Sequence, residues 1–138
     1  MKARELRWKK QKGASLVEFA VLAPLFVVLL FGLVEFGLFI YSKGVITNAS
    51  REGARYGVVY ASPRKTTTEI RTRVQDYLTK SGFTDTATIN VTPGSVGPPP
   101  TPLTVTVTYP YTFQVLPHFV SSFTNTLTMS AISQMYLE

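Results

Sequence analysis

The chain has 138 residues, 45% of them hydrophobic, and a formal net charge of +6. It holds no cysteine and a single histidine, which excludes a disulfide framework, a thiol nucleophile and a cysteine-based zinc site. The charge is local: residues 1–13 carry Lys2, Arg4, Arg7, Lys9, Lys10 and Lys12 against Glu5, whereas the remainder has eight basic and seven acidic residues. A nucleic-acid-binding domain needs its basic patch on the folded part, so nucleic acid is not expected as a partner.

After the basic leader comes an apolar run, Phe19 to Tyr41, 23 residues interrupted by one carboxylate, Glu35. As a helix it is about 34 Å long, against about 30 Å for the hydrocarbon core of a bilayer. It is therefore predicted to cross a membrane once. Basic residues ahead of the span place the N-terminus in the cytoplasm and the rest of the chain outside. A secretory signal has an apolar core of about 7–15 residues followed by a small-residue cleavage site. Here the run is longer, and Gly13 precedes it. A cut at Gly13 would remove the charge and keep the helix. The predicted divisions are a basic leader (1–13), a transmembrane and assembly helix (14–41), and an extracytoplasmic helix with a small head (42–138).

The string Gly13-Ala14-Ser15-Leu16-Val17-Glu18-Phe19 behind a basic leader resembles the processing site of type IV pilin-like precursors, and more closely that of the TadE-like pseudopilins of tight-adherence (Flp) pilus systems. The resemblance implies cleavage between Gly13 and Ala14 by a membrane-embedded prepilin peptidase. Glu18 is then the fifth residue of the mature chain, where the family carries its glutamate, and Glu18-Phe19 matches the glutamate–aromatic pair of the Flp branch. It also implies partners: the major pilin, sister pseudopilins and the inner-membrane assembly platform with its ATPase. A major Flp pilin is much shorter, with almost no head, so this chain resembles an accessory subunit.

A carboxylate costs about 2.5–3.5 kcal/mol at the centre of a spanning helix and less toward the interface. A new ammonium at Ala14 of a neighbouring subunit would pair with Glu18, offset that cost and set axial register. The alternative is a glutamate solvated at the headgroup boundary. Glu35 lies about 25 Å further along the helix. Three readings stand for it: it reaches water, it stays protonated, or it pairs with a partner subunit. Pro24 removes one helical hydrogen bond and is expected to kink or loosen the span locally.

Ser42 to Tyr60 keeps helical character, and Ala49, Gly53 and Gly57 recur every four residues. That small-residue stripe permits close approach of a neighbour, either the protein's own sheet or another subunit. Glu52 and Arg55 can pair at i, i+3. Ala49 to Gly57 also resembles the segment that TadE-like proteins carry just after the spanning helix.

Ser62-Pro63 breaks this helix. A second is predicted over Thr66–Ser81, with a Thr66/Glu69 capping box, an apolar face of Ile70, Val74, Tyr77 and Leu78, and a stop at Gly82. Arg71, Arg73 and Lys80 form its solvated face. From Thr86 the period changes to two. Strands are predicted around Ala87–Val91, over Leu103–Phe113 and over Thr126–Tyr136, with a stiff loop at Pro93–Pro102 and a short helical turn at Leu116–Phe123. Pro110 marks either an edge or a place where pairing stops. The predicted fold is α+β: a long N-terminal transmembrane helix extending into a small head with one further helix and a roughly three-stranded antiparallel sheet.

No catalytic residue and no metal or cofactor site is expected. His118 follows a proline in an apolar stretch, with no nucleophile or carboxylate spaced to join it. The expected function is that of a minor pilin or pseudopilin, processed by a prepilin peptidase and used in assembling or initiating a pilus, with its helix in the inner membrane and its head outside. The rival is an uncleaved single-pass membrane protein with an extracytoplasmic binding or sensor domain.

Overall fold

A computed structural model describes residues 2–84, 87–93, 101–115 and 126–137. Two helices and three strands follow in order: α1 (Lys2–Val58), α2 (Thr67–Lys80), β1 (Thr88–Thr92), β2 (Pro102–Tyr111) and β3 (Leu127–Tyr136). The fold is α+β. Its residues fall into two units, Met1–Gly37 with Phe113–Phe123, and Leu38–Thr112 with Thr124–Glu138.

In the first unit α1 continues through Pro24, whose ring nitrogen cannot donate to the carbonyl one turn back. From Gly13 to Gly37 the side chains are exposed or half-exposed, with one exception, Glu35. A helix apolar all round and exposed all round has no place in water. α1 is long and apolar enough to cross a membrane.

In the second unit the strands form an antiparallel sheet in the order β1-β2-β3. The alternation along β2 sorts its two faces as expected: Leu103, Val105, Val107, Tyr109 and Tyr111 are buried, and the threonines between them are half-buried on the other side. Val105 pairs with Val91 on one side and Ser133 on the other. The register with β1 ends at Thr88–Thr108, whereas that with β3 runs on to Tyr111–Leu127. Pro110 therefore sits where pairing with β1 has stopped, and its missing amide is tolerated there. β2 ends at Tyr111 instead of reaching Phe113, and its register with β3 ends at the same residue, opposite Leu127.

The later part of α1 buries Ser42, Val45, Ile46, Ala49, Ser50, Gly53, Ala54 and Gly57, a stripe at steps of three and four. Helix α2 is capped as its sequence predicts. Thr66 Oγ1 accepts from the Glu69 amide, and the Glu69 carboxylate accepts from the Thr66 amide at 2.7 Å. At its other end Gly82 takes a positive φ of 84°, and the Phe83 and Gly82 amides bond back to the Leu78 and Thr79 carbonyls, the pattern of a Schellman stop. Ile70, Val74 and Leu78 are fully buried, each worth about 1.5–3 kcal/mol relative to exposure. The predicted turn at Leu116–Phe123, His118 and most of the proline-rich loop lie outside the described residues.

Candidate assembly surface on the N-terminal helix

Gly13 and Ala14 lie inside α1, exposed, and a Cβ at Gly13 would meet nothing within 4 Å. The bond between them is thus helical, at a point where glycine weakens the helix by about 1 kcal/mol relative to alanine. Glu18 is also exposed, among Leu16, Val17, Phe19, Val21 and Leu22, all at least 60% exposed. The four residues 13, 14, 18 and 19 thus fall within about two turns of helix, and the exposed side chains around Glu18 are apolar.

Ala49, Gly53 and Gly57 are all buried. A Cβ on Gly53 would clash with Val74 Cγ2 of α2 and lie 3.3 Å from Val105 Cγ1 of β2. One on Gly57 would clash with Leu103 Cδ2 and lie 2.6 Å from Ile70 Cδ1. Both glycines therefore sit where α1, α2 and β2 converge, and the chain's own head occupies the space beside them. Ser50 Oγ, on the same stripe, meets Ser133 Oγ of β3 at 2.7 Å. Lys43 Nζ donates to the Ser130 carbonyl on that strand.

Two residues have partners that their sequence readings did not name. Arg73, exposed as a solvated face predicts, also reaches Glu52 of α1 with Nη2 at 2.8 Å and Nε at 3.2 Å. The expected Glu52–Arg55 pair also forms, at 3.5 Å. The hydrogen bond from Arg73 holds the Glu52 carboxyl below its ordinary range, and Glu52 holds the Arg73 guanidinium above its own. Local spacing along α2 cannot reveal a partner 21 residues earlier.

Glu35 is the second. It is 2% exposed, and its carboxylate accepts the backbone amides of Gln114 at 3.1 Å and Val115 at 2.6 Å. None of the three sequence readings named a backbone partner in the same chain, and at a separation of 79 and 80 residues no local pattern signals one.

Among the described residues the chemistry available elsewhere is slight. A shallow cleft of about 300 Å³ is lined by Tyr56, Thr68, Glu69, Thr72, Arg73 and Asp76. Its Arg73 is held by Glu52, its Glu69 by Thr66, and its Thr72 hydroxyl by the Thr68 carbonyl. Lys65 Nζ and Arg73 Cζ lie 5.1 and 5.8 Å from the Tyr56 ring centroid, a packing arrangement for cations on an aromatic face. Among the described residues no group of His, Cys, Asp or Glu could hold a metal ion.

Among the described residues one helix is apolar and long enough to cross a membrane, and it continues into a small α+β head, the layout of a membrane-anchored protein. Residues 13–55 match the family of TadE-like proteins, which shows over that segment the likeness read from its motifs and relates the chain to Tad pilus proteins. No curated protein and no solved structure matches.

Proposed function

We propose that this protein is a minor pilin or pseudopilin that a prepilin peptidase cuts between Gly13 and Ala14 and that takes part in assembling or initiating a tight-adherence pilus. The reading rests chiefly on the TadE-like match, which begins at Gly13 and runs past the spanning helix to Arg55. The exposed Glu18 among exposed apolar side chains supports it. In an apolar setting a carboxylate gains most from a fixed cation, and the ammonium freed at Ala14 of a neighbouring subunit supplies one. Its partners on this reading are the peptidase, the major pilin, sister pseudopilins and the inner-membrane platform. The head lies outside the cell, and the helix moves from bilayer to fibre or remains with the assembly platform.

The helical state of the Gly13–Ala14 bond sets a condition. Proteolysis needs extended backbone, so the peptidase must unwind about one turn, and glycine at position 13 makes that turn cheaper to open than alanine there would.

The test is intact mass and N-terminal sequence of the membrane-extracted protein, with and without a co-expressed prepilin peptidase. A mature chain starting Ala14-Ser15-Leu16 only with the peptidase supports the reading. A chain that keeps its leader beside an active matching peptidase overturns it in favour of an uncleaved, anchored binding domain.

A further inference from the structure

Within the apolar run 19–41, Glu35 lies five residues beyond the midpoint, about 8 Å along the helix axis, and six residues, about 9 Å, short of the outer end. If the run spans a core of about 30 Å, residue 35 lies well below the outer hydrocarbon boundary. Gln114 and Val115 are bonded to it, so their backbone is at the same depth. Non-helical backbone at that depth requires partners within the protein, because no water is there to supply them. The Glu35 carboxylate meets that need for two successive amides, and those amides in turn solvate a carboxylate that would otherwise be costly.

A second observation, made wholly within the other unit, points the same way. Phe39 and Tyr111 meet edge to face with centroids 5.5 Å apart, Phe83 and Tyr109 likewise at 5.0 Å, and Tyr41 lies 6.4 Å from Phe83. This puts the last residues of β2 beside the outer end of the spanning run, in the kind of aromatic cluster that collects at membrane interfaces.

We propose that the turn after β2, at Gln114 and Val115, is seated in the outer leaflet of the bilayer and held there by Glu35. The protein then has two membrane contacts, its helix and the short segment at Gln114 and Val115 that is bonded to it. The occupant of this surface is lipid, and the carboxylate is its internal clasp.

The cysteine-free sequence makes site-directed spin labelling direct. Full-length chain carrying a nitroxide at Gln114→Cys, Leu29→Cys or Asn90→Cys is placed in vesicles of phosphatidylethanolamine and phosphatidylglycerol. Collision with oxygen, which concentrates in lipid, is compared with collision with a water-soluble nickel chelate. Leu29 and Asn90 are exposed on the spanning helix and on the sheet, and serve as lipid and water references. The expected result is a lipid-like ratio at 114, turning water-like when Glu35→Ala is added, with Glu35→Gln, which keeps one acceptor oxygen, in between. A water-like ratio at 114 beside a lipid-like one at 29 overturns the seat while leaving the anchor intact. Water-like ratios at both positions overturn the spanning reading and the seat together. A lipid-like ratio at 114 that Glu35→Ala does not change overturns the clasp. None of these readouts depends on pilus assembly, so the pilin reading stands or falls separately.

Discussion

Ser50 Oγ and Ser133 Oγ, 83 residues apart in the chain, share a buried hydrogen bond of 2.7 Å between α1 and β3. Ser50 also donates to the Thr47 carbonyl at 2.9 Å, so Ser133 is the donor between the two hydroxyls. Ser50→Ala removes the acceptor and strands that donor, at a cost of about 1–3 kcal/mol. Ser50→Ala with Ser133→Ala removes both ends and is expected to cost less than the sum of the single changes. Denaturant unfolding of the four proteins in detergent measures the coupling. Strictly additive costs would show that the contact contributes nothing.

The glycine stripe makes a prediction of opposite sign at neighbouring sites. Gly44 is exposed on α1 with nothing within 4 Å of an added Cβ, so Gly44→Ala is expected to stabilise the helix by about 0.5–1 kcal/mol. At Gly57 the same change drives a methyl into Leu103 and Ile70, and overpacking of about 1–3 kcal/mol outweighs the helix gain. Gly53→Ala meets the stiff, β-branched Val74 and is expected to destabilise too. Thermal midpoints of the three variants decide the matter. A stabilised Gly57→Ala protein would mean that α1 does not pack this closely on the sheet.

Acid should loosen the contact between α1 and α2. The Arg73 hydrogen bond lowers the Glu52 carboxyl below its ordinary value of 4.5, and a depressed folded-state value means that the folded protein favours the carboxylate. Its contribution is complete above the unfolded value and is lost as pH falls through the lowered folded one. Glu69, lowered chiefly by its bond from the Thr66 backbone, behaves in the same direction. Thermal midpoints from pH 7 to pH 2 should fall more steeply at the acid end for the native chain than for Glu52→Gln. Parallel curves would show that the pair does not couple to folding.

For Glu18 the pilin reading predicts a separation of two steps. Glu18→Ala should be cut after Gly13 at a rate near that of the native chain, because the bond and its leader are intact. Its incorporation into assemblies should fall on the order of tenfold or more, the factor that corresponds to losing a charge-assisted bond of about 1.5–3 kcal/mol. Leader loss by mass and co-purification with a tagged sister subunit read the two steps separately. Unchanged co-purification would leave Glu18 as a solvated residue at the headgroup boundary.

Length, hydropathy and period determined much of this protein by themselves. The spanning run, the capped helix from Thr67 to Lys80 and the alternating strand around Val105 are each specified by residues within one or two turns, or within one strand, of each other. Helix and strand formation depend on such short-range patterns, and so they were legible. The spacing of Ala49, Gly53 and Gly57 showed that something approaches closely, yet only the packed head shows Val74, Leu103 and Ile70 in that space. The Glu52–Arg55 pair was legible too, but the long-range partners of Glu52, Ser50 and Glu35 lie 21, 83 and about 80 residues away. Tertiary structure alone decided these, because a carboxylate or hydroxyl is satisfied by whatever donor the folded chain brings to it, and nothing in the adjacent sequence names that donor.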